Sequence, residues 1–120
     1  MMRAVRGATT AAHDDPDEIY QVTGELLVAL MAENGLSRDD IVSAVFTATP
    51  DLSSAFPAQA ARDLGWVDVP LLCAVEIDVP RSLKRCIRVL IHAETGQAML
   101  RPVYLRGAEE LRPDLQVPTR

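Results

Sequence analysis

A chain of 120 residues with 48% hydrophobic content is long enough for one domain with its own core, without disulfides or a structural metal. Seventeen acidic against twelve basic side chains, a formal charge of −5, argue against a nucleic-acid or anionic-membrane surface, since both need a basic stripe. Of the basic residues only Lys84 is a lysine, a bias that a G+C-rich genome produces by itself, so the position of each arginine matters and not their number.

Residues 2–8, MRAVRGA, are predicted as a short strand ending at Gly7. A helix is predicted over 14–35: Asp14 or Asp15 can cap it, Pro16 suits its first turn, Asp17 and Glu18 follow, and Gly35 stops it. Ile19, Val22, Leu26, Leu27 and Leu30 then form one apolar stripe that covers a sheet. SRDD at 37–40 opens a turn or a helical start, and the β-branched run 41–49 reads as the second strand. A second helix of about two turns spans 57–65, entered by Pro57 and closed by Gly65. The third strand is predicted over 69–79 and the fourth over 85–93, with a turn at 94–97. A fifth follows over 99–108, where Pro102 demotes the first half to an edge or bulge. A polar tail, expected to be flexible, runs from about residue 113.

The sum is a single α+β domain over 1–120, with a mixed five-stranded sheet, one long helix on one face and one short helix. That leaves part of the sheet uncovered, and strands three and four are too apolar on both sides to face water, so a homo-oligomer is expected to bury the other face. The opening residues contain no apolar signal segment, and the longest apolar run, LLVALMA, has seven residues, so a cytosolic protein without a membrane span is expected. Cys73 and Cys86 are too few for a disulfide framework, no Cys-x-x-Cys or His pair offers a metal site, and both are expected to be buried thiols.

Arg6, Glu76 and Arg88 each interrupt an apolar run on a predicted strand. An unpaired buried ion costs several kcal/mol, so each belongs at a rim, in a salt bridge, or in a solvated pocket that takes a ligand. An internal Arg–Glu bridge explains one such residue, whereas three in a small domain point to a site. Strand parity puts Cys86, Arg88, Leu90 and His92 on one face. Cys86 and His92 are roughly 20 Å apart along the strand, too far for a nucleophile and its base. No Gly-x-Ser-x-Gly, phosphate loop, His-Glu-x-x-His or dinucleotide fingerprint is present, and the acidic run at 14–18 lacks the glycine and spaced ligands of a calcium loop. Arginines with one glutamate remain, a set that binds a polycarboxylate and stabilises shifting charge but supplies no nucleophile.

VRGATT, ATPDLSSAFPAQAAR, VPLLCAVEIDV, KRCIRV, VYL and LRPDL occur in this order between positions 2 and 115. Together they resemble the monofunctional chorismate mutases of the Bacillus type. The resemblance implies a homotrimer with a pseudo-α/β-barrel arrangement, active sites in clefts between subunits, no cofactor, and rearrangement of chorismate to prephenate on the route to phenylalanine and tyrosine. In that reaction a C–O bond breaks as a C–C bond forms, negative charge gathers on the ether oxygen and positive charge on the ring.

Carried over residue by residue, the resemblance gives Arg88 the ether oxygen and a carboxylate, and Glu76 the substrate hydroxyl and the developing cation. Arg6 and Tyr104 would bind a carboxylate, and Phe56, Ala58 and Cys73 would form walls, Cys73 through its backbone and a weak thiol contact. Arg62, Leu111 and Arg112 would close the entrance. Gln59 stands where the family often has a basic residue, and Leu72 where a hydroxyl residue can precede the cysteine. Cys73 and Glu76 face opposite ways on an ideal strand, so a bulge intervenes or they reach the ligand by different means. The rate is expected to be flat between about pH 5.5 and 9, since no proton is transferred. Two other readings compete: an imine or enamine hydrolase of the Rid type, and a non-catalytic trimer that binds a carboxylate metabolite.

Overall fold

The computed structural model describes residues 1–111. Five strands form one mixed sheet in the order β3-β2-β4-β1-β5: β1 (Met2–Thr10), β2 (Ile41–Ala48), β3 (Leu71–Val75), β4 (Cys86–Glu94) and β5 (Val103–Tyr104). The central strand β4 runs antiparallel to both β1 and β2, while β5 lies parallel to β1 and β3 parallel to β2. Helices α1 (Pro16–Asn34) and α2 (Ala58–Asp63) pack over one face. The α+β class, the mixed five-stranded sheet and the one long and one short helix therefore stand as expected.

Helix α1 begins and ends where the sequence places it. Asp15 caps it by accepting from the Glu18 amide at 3.1 Å, and the Glu18 carboxylate reaches back to the amides of Ala12 and His13. Those bonds hold the Glu18 carboxyl below its ordinary range, the His13 amide contributing most. Gly35 closes the helix in the left-handed region at φ 60°. Ile19, Val22, Leu26, Leu27 and Leu30 are all buried, and Leu26, Leu27 and Leu30 meet Phe46, Val89 and Ile91 from the sheet in the main core.

Three strands depart from the sequence prediction by more than one residue, each for a largely non-local reason. β1 does not stop at Gly7 but runs to Thr10, because Gly7 pairs with Val89 on one side and Val103 on the other. A side chain at Gly7 would place its Cβ 2.7 Å from Leu30 Cδ1 and 3.1 Å from the Val103 carbonyl oxygen, so glycine is kept for close approach to α1. Gly7→Ala is expected to destabilise the fold by about 1–3 kcal/mol in equilibrium denaturation; a change within a few tenths would show that α1 can move aside.

β3 ends at Val75 because its partner β2 ends at Ala48, and Pro50 beyond it has no amide to donate. Residues 77–79 accordingly turn outward, with Ile77 86% exposed. β5 shrinks to two residues because the amide and carbonyl of Arg101 are both taken by the buried Asn34 side chain at the end of α1. Pro102 removes the next donor, and Arg106, at φ 53°, turns the chain into a 3₁₀ segment over Arg106–Leu111. The other sheet face has no helix across it among the described residues, apart from this segment over one end.

Candidate active site

The register of three strands builds the site on the face opposite the helices. Antiparallel pairing sets Arg88 beside Thr47 of β2 and Ala8 of β1, and the parallel pairing of β2 with β3 adds Ala74 to the row. The next row on the same face is Arg6, Leu90, Val45 and Leu72. Alternation along β4 buries Ile87, Val89 and Ile91 under α1 while Arg88 stays open to this side.

Glu76 lies one residue past β3, yet its amide still donates to the Ala48 carbonyl at 3.0 Å, which keeps it in line with the row. Its Oε2 stands 3.1 Å from Arg88 Nε and accepts from Thr47 Oγ1 at 2.6 Å. The Glu76 side chain is 14% exposed and that of Arg88 44%. The two accounts of Arg88 are thus compatible: it has an internal partner and also borders a cavity. Glu76 is its ion-pair partner at Nε, and the same side chain lines a cavity.

That cavity, of about 280 Å³, is lined by the polar Arg6, Thr47, Arg88 and Tyr104 together with the apolar Val45, Val89 and Leu90. Two arginines beside apolar side chains suit a small dianion, and fixed donors can stabilise charge that moves during a reaction. Thr47 was not among the sequence candidates. Period-two alternation puts Ser43, Val45 and Thr47 on one side of β2, but which carboxylate meets that hydroxyl depends on the β2–β3 pairing.

The match to the family model "Chorismate mutase type I" spans residues 2–115. The chain belongs to the type I chorismate mutases. It is 50% identical to a chorismate mutase AroH of Thermus thermophilus over 119 residues, covering 97% of this chain and 98% of that protein. It is 45% identical to a chorismate mutase AroH of Bacillus subtilis over 120 residues, covering 98% and 94%. A solved chorismate mutase from Clostridium thermocellum superimposes with a TM-score of 0.89 at 48% identity, over 90% of this chain and 98% of that one. Neither the imine hydrolase nor the non-catalytic binder gains support from these likenesses.

Within this chorismate mutase chain, Arg6, Arg88 and Tyr104 meet at the cavity, with Glu76 bound to Arg88 and Leu72 in the adjoining row. The remaining candidates stand apart from it. Cys73 pairs with Phe46 and packs toward the helix-side core, so its thiol does not share the face of Arg88. No bulge is recorded between β2 and β3, and Cys73 and Glu76 do project to opposite sides. Ala58 is buried in the main core, Phe56 is 73% exposed, Gln59 donates to Asp63, and Arg62 is exposed on α2. Leu111 packs beside Ala8, Cys86, Tyr104 and Ala108, and Arg112 lies outside the described residues.

Cys86 is fully buried, and burial pushes its thiol up to about 11 although Arg88 opposes the shift. Thiol titration of the native enzyme near pH 8 is therefore expected to leave Cys86 unmodified until denaturant is added. Modification of Cys86 at the rate of a free cysteine would contradict that burial. Among the described residues no cluster of three or more His, Cys, Asp or Glu is placed to hold a metal ion, and no helix is long and apolar enough to cross a membrane.

Proposed function

We propose that this chain is a cytoplasmic chorismate mutase that converts chorismate to prephenate without a cofactor, as a homotrimer with its sites between subunits. The observation that carries the reading is Arg88, paired at Nε with Glu76 and lining one cavity with Arg6 and Tyr104. Arg88 donates to the ether oxygen as its bond to carbon stretches, Glu76 faces the positive charge that develops on the ring, and Arg6 and Tyr104 hold a carboxylate. The rearrangement is intramolecular and moves no proton, so Arg88 and Glu76 act through charge and direction. A preorganised donor at developing charge is worth about 3–4 kcal/mol, and a millionfold acceleration needs roughly 8 kcal/mol. Two or three such contacts, with restraint of the substrate in a compact conformation, reach that sum.

The trimer accounts for residues that a single chain leaves apart from the cavity. Phe56, Ala58, Gln59 and Arg62 near the β3 edge are assigned to the cleft of a neighbouring subunit, where Cys73 contributes through its backbone and Leu111 and Arg112 close the entrance. The apolar exposure around that edge, with Phe56, Leu72, Val75 and Ile77 all open to solvent in one chain, supports burial against a copy. The test is loss of chorismate absorbance with purified protein and no added metal or nucleotide, together with a solution mass three times 13.1 kDa. Turnover by a trimer is expected; absent turnover removes the catalytic reading, and an active monomer removes the shared sites.

A further inference from the structure

We infer that Thr47 is a positioning residue, whose hydroxyl keeps the Glu76 carboxylate from closing over Arg88 and so holds both groups ready for the ligand. The inference rests on the chorismate rearrangement proposed above. An arginine beside a carboxylate tends to a bidentate pairing that uses both oxygens and two nitrogens of the fork. Here no bidentate hydrogen-bonded pair forms: the nearest approach is Nε to Oε2 at 3.1 Å, and Oε2 is the acceptor of the Thr47 hydroxyl at 2.6 Å. With Oε2 engaged by Thr47, the carboxylate stays short of a bidentate grip on Arg88, and both groups are left for the substrate.

The local structure explains why this role falls to Thr47. Glu76 is beyond the end of β3, fixed by a single backbone bond to Ala48, and its terminal torsion is broad and two-fold. Thr47 sits in β2, paired with Arg88 on one side and Ala74 on the other, and a β-branched side chain there is stiff at χ1. The rigid partner thus orients the mobile one. Thr47 also lines the cavity, so its hydroxyl acts at the rim rather than deep in the core.

The experiment compares Thr47→Val, which keeps shape and removes the donor, with Thr47→Ser, which keeps the donor, each in the wild-type and Glu76→Gln backgrounds. Thr47→Val is expected to lower kcat about tenfold with KM changed less than about threefold, and Thr47→Ser to recover to within about threefold of wild type. In the Glu76→Gln background the same Val change is expected to alter kcat by less than about twofold, because the negative charge it positions is already gone. Wild-type kcat in Thr47→Val, equal losses in both backgrounds, or a Ser form no better than Val each overturn the inference while wild-type turnover stands. A wild-type protein that does not consume chorismate overturns the proposed function itself, and this inference with it.

Discussion

Arg88→Lys is expected to lower kcat about 10²–10³-fold, with secondary structure and assembly state unchanged, and Arg88→Ala to be at least as severe. The geometry makes this more than a matter of positive charge. Arg88 meets Glu76 at Nε and also lines the cavity, so one side chain performs two tasks. A lysine ammonium is a single compact charge on a flexible stem: it can pair with Glu76 or reach the substrate oxygen, and it cannot hold a fixed direction while doing either. Steady-state kinetics on the two variants, with circular dichroism and solution mass as controls, check the expectation. A Lys form within about threefold of wild type would remove the argument from an oriented fork.

Glu76→Gln is expected to be the second most severe change, lowering kcat by about 10² or more, because it keeps the shape and a Thr47 acceptor while removing the negative charge that faces the developing cation. Glu76→Ala goes further by leaving both Arg88 Nε and the Thr47 hydroxyl without their partner. Comparing the two separates electrostatics from scaffolding. If Gln were nearly as active as Glu and only Ala failed, the carboxylate would be a bracket for Arg88, and the assignment of its charge to the ring would have to be given up.

Much of the site was legible because a charge on an apolar strand is conspicuous at short range. Arg88 stands among Ile87, Val89, Leu90 and Ile91, and alternation alone put it on the face away from the residues that pack under α1. The α1 boundaries were legible for a similar reason: Asp15, Pro16 and Gly35 act on amides and carbonyls within a few residues of themselves. Thr47 was not legible, nor were the limits of β1, β3 and β5. Gly7 resembles a strand terminator until Leu30 is seen against it, and the length of β3 follows from where β2 runs out.

The sequence by itself determined which segments are helix or strand, where α1 starts and stops, which side chains of β4 share a face, and the family to which the chain belongs. Only the tertiary structure decided that the oxygen of Glu76 that meets Arg88 also accepts from Thr47, and that Arg6 lines one cavity with Thr47 and Arg88. The reason is physical. Caps and periodicity are interactions between neighbours along the chain, whereas the meeting of Thr47, Glu76 and Arg88 requires three strands to pair in one register, and that register is fixed by the burial of all of them together.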